Sequence, residues 1–349
     1  MTIDRKVIES ILTAGVLAPS ADNQHRFRYV PTDDGVELVA VDGFFDPRIP
    51  HRRFLSLTGL GAVVENMVLR AGQLGLAATP EWFPRGNNEE VLVRLRLRSA
   101  DGLVEDLAEQ LGRRHTNRRM YRGPKLTAVE LSALSSSAEE SGNCGVLWLQ
   151  GGSRRSALAL IRLAESQRFA IEYLHAELFD SVAFEVGWSG AVDERLPPAA
   201  LEVEAGARPV FKALRRWPLM QKMKLIGAHH MLGIRAGWLP AWQAPGLGVI
   251  VANVADDDLA AIEGGRAFER LWLRATALGL SLQPLAASTV LSRLGSYGGP
   301  GAEALAKRLR DGWRKLLPSS RPVVVFRVGR SGPASGRAGR PPLGQFLQS

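Results

Sequence analysis

An α+β fold made of two similar halves, packed on each other as a pseudo-dimer within one chain, follows from three features of the sequence. First, the chain repeats itself. The stretch GAVVENMVLRAGQLGLAATP from Gly61 aligns without gaps on GRAFERLWLRATALGLSLQP from Gly265, and nine of the twenty positions are identical. Second, the flanks of the two copies agree. An N-terminal helix and strand, IESILTAGVLAPS then FRYV, resemble LTAVELSALSSSA then VLWLQ. Third, strands and helices do not alternate regularly enough for a parallel βαβ sheet, which leaves layered α+β packing. The alternative is two coincidentally similar helices packed on one sheet.

Each repeat copy reads as an amphipathic helix stopped by Gly75 or Gly279, because glycine reaches the left-handed C-terminal cap without strain. After each helix comes an alternating strand, VLVRLRL from Val91 and VVVFRV from Val323. The remaining segments read as a helix over 153–176, a proline-broken region 188–246, a strand 248–254, a helix 302–316 and a loop-like tail. The halves divide near residue 110. The first is 1–110, and the second is 111–349 with a lid or interface insertion at about 188–246. A fused pair of similar halves mimics a two-fold dimer, so a monomer is expected.

Composition narrows the function classes. The 349 residues are 46% hydrophobic and 23% charged, which is globular. A single cysteine, Cys144, excludes an internal disulfide framework and a cysteine-based zinc site, and fits a reducing cytoplasm. The N-terminus carries charges where a signal peptide needs an apolar core, and no apolar run reaches membrane-spanning length. The formal charge is +9, but no nucleic-acid-binding motif accompanies it, so no nucleic-acid partner is expected. The arginines cluster locally, which suits recognition of an anionic small ligand as well as a solvated basic surface.

Four segments carry polar or small residues in patterns with a chemical purpose. In Ala18-Pro19-Ser20-Ala21-Asp22-Asn23, Pro19 ends the helix, and Ser20 and Asn23 offer short hydrogen-bonding side chains. An ordinary Pro-Ser-Asn turn reads the same way. In Arg113-Arg114-His115-Thr116-Asn117-Arg118, the alternation puts Arg114, Thr116 and Arg118 on one side of an extended segment. There they suit a phosphate, with an exposed basic loop as the alternative. In Ser281-Leu282-Gln283-Pro284-Leu285-Ala286-Ala287, the small Ala286 and Ala287 let a ligand approach the backbone. The tail brings Arg337 and Arg340, or else is a disordered Gly/Ser/Arg segment.

In this order, the four segments resemble the nitroreductase-like FMN-binding family, in particular its fused two-half group. The resemblance implies an FMN site made of Ser20, Asn23, Arg114, Thr116, Arg118, Pro284, Ala286, Ala287, Arg337 and Arg340. It departs from the family pattern at His25-Arg26-Phe27, which stand where Gln-Pro-Trp is usual. Thr116 replaces a serine, Ala286-Ala287 replace Glu-Gly, and Gly339 replaces the first of two basic residues. The loop near Ser20 comes from the first half and the basic clamp from the second, so one composite pocket and one flavin per chain are expected.

The implied activity is NAD(P)H-linked, ping-pong reduction of a small nitro, quinone or other conjugated acceptor. The flavin carries the chemistry and no side chain acts as nucleophile. Storage of FMN without turnover is the alternative. His229-His230 do not suggest a metal, since adjacent histidines rarely face one ion. The region 196–242 interleaves basic residues with Trp, Leu, Met and Ile. It reads as a lid, as a membrane-surface element or as core helices between the halves.

Overall fold

The structure, a computed structural model, describes residues 3–87, 89–100, 102 and 104–348. The chain opens with α1 (Arg5–Val16), whose first turn is capped by Asp4 accepting from the Lys6 N–H at 2.8 Å. Strands β1 (Phe27–Thr32) and β2 (Gly35–Ala40) form a hairpin, followed by α2 (Pro50–Gln73), β3 (Leu76–Trp82) and β4 (Val91–Ser99). The second half repeats this with α3 (Ala128–Glu139), closed by a Thr127–Glu130 capping box, and β5 (Cys144–Trp148).

A long connection then carries α4 (Gly151–Ala170), α5 (Glu172–Asp180), α6 (Arg208–Ala213), α7 (Trp217–Leu225), α8 (Ala228–Gly233) and α9 (Leu239–Gln243). The half is completed by β6 (Gly246–Ala252), α10 (Asp257–Ala277), β7 (Ser281–Pro284), α11 (Ala287–Val290), α12 (Gly299–Leu316) and β8 (Arg321–Gly329).

Both four-stranded antiparallel sheets have the same order. The first is β1-β2-β4-β3 and the second β5-β6-β8-β7. Each has one register irregularity at the matching place, Leu38/Val39 in β2 and Ile250/Val251 in β6. The repeat helices α2 and α10 end on Gly75 and Gly279 at φ 72° and 67°. One hydrophobic core runs through both halves. It joins Leu60, Val64 and Met67 of α2 to Phe268, Leu271 and Trp272 of α10, with Leu38 and Phe326 from the two sheets.

The halves meet where α2 crosses α10. A Cβ added to Gly61 would lie 2.0 Å from the Ile262 carbonyl oxygen, and one added to Gly265 would lie 2.0 Å from that of Thr58. These are the first residues of the two aligned stretches, and each meets the carbonyl three residues upstream of the other. The contact is reciprocal, as at a two-fold interface. Neither position has room for any side chain.

Several elements differ from the sequence expectations. The helix expected over 153–176 breaks at Ile171, whose φ and ψ of −104° and 122° are extended. The expected insertion 188–246 is the later part of a longer connection, 149–245, between β5 and β6. The matching connection in the first half is a two-residue turn. Strands β2, β3 and β7 were not anticipated, because each is short or, in β3 and β7, directly follows a helix. The tail crosses back to the first sheet. The Tyr29 N–H donates to the Phe346 carbonyl at 2.8 Å, and the Gln348 N–H to the Tyr29 carbonyl at 3.0 Å. The boundary near residue 110 therefore divides the chain but not the packing.

Helix α2 is long and apolar enough to cross a membrane, but 78% of its most apolar window is buried against the rest of the protein. It is a core helix.

Gly61→Ala and Gly265→Ala should each force the two helices apart and destabilise the protein by about 1–3 kcal/mol. Gly152→Ala, on an exposed helical turn with open space around the added Cβ, should be neutral or slightly stabilising. Urea denaturation of the three variants checks this. Equal midpoints would show that the close approach is not a constraint.

Candidate functional site

The ten residues singled out from the sequence all line one cavity of about 790 Å³. This lies within the roughly 300–1,000 Å³ usual for small-molecule and cofactor sites. The cavity lies against the α2–α10 crossing, where Thr58, Gly59 and Ala62 face Gly265, Phe268 and Trp272. The loop after α1 forms one edge, and residues 114–118 and 284–287 form another. The tail closes the third, and the roof comes from residues 201–240 of the long connection.

Each edge is held by its own interactions. In the loop after α1, Asp22 and Asn23 both have left-handed backbones, φ 52° and 60°. Asp and Asn tolerate that conformation best after glycine. Asn23 fixes it. Its amide donates to the carbonyls of Asp193 at 2.6 Å and Gly339 at 3.2 Å, and its Oδ1 accepts from Arg340. Asn23 is thus a clip between loop, connection and tail, with its side chain fully used. Ser20 Oγ, in contrast, is buried on the cavity edge with no partner in the protein. His25 lies behind the loop, packed against Phe27 and Phe346 at ring distances of 5.3 and 5.4 Å. Burial and the nearby Arg340 charge lower its pKa to about 4. Of the three residues that depart from Gln-Pro-Trp, His25 and Phe27 are buried in the core and Arg26 is half-buried.

The expected alternation of the basic segment is realised. Thr116 bridges Leu282 alongside β7, and the Asn117 N–H donates to the Leu282 carbonyl at 3.1 Å. Arg114, Thr116 and Arg118 then face the cavity, while Asn117 turns away to donate to the Gly332 carbonyl at 2.9 Å. Fully buried Arg327 braces this strand. It donates to Gln283 Oε1 and to the Arg119 carbonyl, each at 2.7 Å, and stacks on Tyr121 at 3.8 Å. Arg327 sits inside β8.

The arginines differ in how committed they are. Arg114 is buried, 2.9 Å from the Glu269 carboxylate and 4.6 Å over the Trp272 ring, and it donates to the Leu17 carbonyl. Among the described residues Arg118 has one hydrogen bond, to the Ala200 carbonyl at 3.3 Å. Burial and the neighbouring Arg168 charge lower its pKa, partly opposed by Tyr121 and Asp22. Arg337 lines the cavity with no carboxylate partner among the described residues. Burial and Arg114 lower the Arg340 pKa to about 10. Seven arginines and four carboxylates line the cavity, so it has surplus positive charge and unused donors. The chemical partner it fits is an anion.

Gly339 has a physical reason as well. A Cβ there would lie 2.1 Å from Asp193 Oδ1, and its N–H donates to the Val192 carbonyl at 2.8 Å. The tail is threaded under the 192–200 segment, so a basic side chain has no room at 339.

The site includes residues that the sequence reading missed. His51, Arg52 and Glu177 line the cavity as a cluster with Tyr173, whose hydroxyl donates to Glu177 at 2.5 Å and lies 3.3 Å from His51 Nε2. Burial raises the Glu177 pKa, but hydrogen bonds from His51 and Tyr173 and the Arg52 charge outweigh it and hold the carboxyl at about 2. No periodic or motif signal marks this cluster. Glu269 was detectable, because it is one of the nine identities of the repeat, aligned with Glu65. Both are buried and paired with arginine, Glu65 with Arg266 and Arg270.

The two copies of the repeat differ beside the crossing. Gly59 and Ala62 leave space in the first copy. Their equivalents, Glu263 and Arg266, fill the matching place with an ion pair at 3.5 Å, and Arg266 bonds Glu65 at 2.9 Å.

No family model and no curated protein matches the chain. Solved structures similar in part include a nitroreductase with bound FMN from Desulfitobacterium hafniense, at 11% identity and TM-score 0.39, covering 70% of this chain and 99% of that one. The FMN-dependent nitroreductase NfnB from Mycobacterium smegmatis, in complex with NADPH, matches at 16% identity and TM-score 0.36, covering 70% and 97%. A BluB-like flavoprotein from Clostridium difficile matches at 10% identity and TM-score 0.39, covering 70% and 99%. At these values the α+β, two-half architecture is read from the chain's own topology.

Burial pushes the Glu269 carboxyl up to about 7 from 4.5, against the pull of Arg114. Its folded pKa lies above the unfolded one. Between these values the folded protein therefore holds a proton that the unfolded chain has released. Stability should fall as pH rises through that window and level off above it. Urea titrations of wild type and Glu269→Gln from pH 4.5 to 8 test this, with the fall expected to shrink in the variant. Parallel curves would assign the pH dependence to other groups.

Proposed function

We propose that the cavity holds FMN and that the protein is an FMN-dependent oxidoreductase, using NAD(P)H to reduce a small nitro, quinone or other conjugated acceptor. The observation that carries this reading is the convergence of all ten sequence-selected residues, from both halves and the tail, on one arginine-rich cavity. When bound, FMN would supply the hydride and electron transfer that the side chains themselves do not offer.

The residues present fit that group. Arg118, Arg337 and Arg340 offer guanidinium donors for a phosphate, where charge-assisted hydrogen bonds are strongest. Ser20 Oγ is a buried hydroxyl without a partner, suited to a ribityl hydroxyl or ring edge. Phe268 and Trp272 give an apolar wall, and the 284–287 backbone, with methyl side chains at Ala286 and Ala287, leaves room for a planar ring. Arg114 acts one step back. Its ties to Glu269 and Leu17 hold the start of the clamp in place. The roof, with Phe211, Leu214 and Leu232, excludes water from above.

That roof is also the observation favouring the second reading, a protein that holds FMN without turnover, because it limits the space for an acceptor. One chain supplies both halves of the site, so we expect a monomer. A cytoplasmic setting belongs to the same reading and rests on the single free cysteine, Cys144.

The purified protein, mixed with FMN and desalted, should retain flavin absorbance. Anaerobic NADH or NADPH should bleach it, and a quinone or nitroaromatic should restore it. Flavin retained but never bleached would favour storage, and no retained flavin would overturn the site. Arg118→Gln and Arg337→Gln should each weaken FMN binding by roughly 10- to 100-fold, the loss of one charge-assisted hydrogen bond. Flavin fluorescence titration measures this, and unchanged affinity in both would remove the phosphate role.

A further inference from the structure

One stretch over the cavity carries cations without carboxylates. Between Glu204 and Asp256 there is no carboxylate at all, while the same stretch holds seven Lys or Arg, against a net charge of +9 for the whole chain. It folds as α6 to α9 over the cavity. Lys212, Arg215, Arg216 and Lys222 are exposed and have no carboxylate partner among the described residues. Lys224 is held down, donating to the Ala170 carbonyl at 3.3 Å with its ammonium 5.9 Å from the Trp217 ring.

Beside these cations, the turn from α7 to α8 presents aliphatic side chains to solvent. Leu225 is 85% exposed, Ile226 77% and Met231 67%. Gly227, at φ 83°, makes the sharp turn that leaves Leu225 and Ile226 at the tip. The inner face of the same elements is well packed, with Met220 and Leu214 buried against Phe169, Phe179 and Phe184. The tip is therefore the outward side of an ordered cap.

Exposed aliphatic side chains at a turn, in a stretch that holds exposed cations and no carboxylate of its own, match the chemistry of an anionic bilayer surface. Headgroups meet the ammonium and guanidinium groups, and the apolar tip enters the acyl boundary. A second copy docking through the same face would bring like charges together. A nucleic acid would use the cations but offer nothing to Leu225, Ile226 and Met231. We propose that the cap docks on anionic lipid membranes through this tip. Residues Glu204, Ala207 and Val210 are exposed and also line the cavity, so docking brings the cavity rim to the bilayer. On the reading proposed above, that favours an acceptor dissolved in lipid. The docking itself does not depend on that reading.

Co-sedimentation of the full chain with vesicles tests it without flavin or turnover. Vesicles of phosphatidylcholine with phosphatidylglycerol should bind the protein, and phosphatidylcholine alone should not. The exposed-site variants Leu225→Ser/Ile226→Ser/Met231→Ser and Lys212→Gln/Arg215→Gln/Arg216→Gln/Lys222→Gln should each reduce binding by about tenfold or more. Their thermal unfolding should match wild type. Failure to sediment with anionic vesicles would overturn the proposal. So would undiminished binding by the triple serine variant, which would mean that charge alone acts, or displacement from the vesicles by duplex DNA at equal affinity.

Discussion

The crossing of α2 and α10 at Gly61 and Gly265 is the contact on which the rest of the molecule depends. Backbone meets backbone there in both directions, so the two sheets are set at one distance and orientation. Any side chain at either glycine would separate the halves and loosen the core they share. The cavity is a consequence of the same geometry. It forms beside the crossing, where Gly59 and Ala62 are too small to fill the space that Glu263 and Arg266 fill on the opposite side.

That difference turns two similar halves into one asymmetric machine. On the filled side, Arg266 and Arg270 converge on Glu65, with Glu105 and Glu140 completing the network. On the open side, Glu269 has Arg114 as its partner, and that arginine stands at the start of the clamp. A buried ion pair adds little net stability over an apolar pair, but it specifies one arrangement. Here it anchors the segment whose next two alternate residues, Thr116 and Arg118, line the cavity.

The long connection and the tail complete the site from outside the two-half frame. Asn23, Gly339 and Asp193 tie loop, tail and connection together, so three segments distant in sequence form one wall. Within the connection, the stretch from Ala205 onward carries seven Lys or Arg before the next carboxylate, Asp256. Its packed inner side and exposed aliphatic tip are different chemistries on the same short helices.

The sequence by itself determined the repeat, the glycine helix stops and the strand pattern after each helix, while the ten residues that line the cavity came from its resemblance to a known family. Those signals are local: helical periodicity, alternation, a capping glycine, or a basic segment read within a few residues. It did not reveal that Asn23 and Arg114 are already occupied by protein partners. Nor did it reveal that Tyr173 and Glu177 of α5 meet His51 and Arg52 of α2 at the cavity, or that the tail returns to β1. These are long-range packing results, some between residues more than 300 positions apart, and no local pattern encodes them. Gly61 and Gly265 mark the boundary between the two kinds of information. Both were visible as aligned residues, and only the tertiary structure decided that they touch each other's helix.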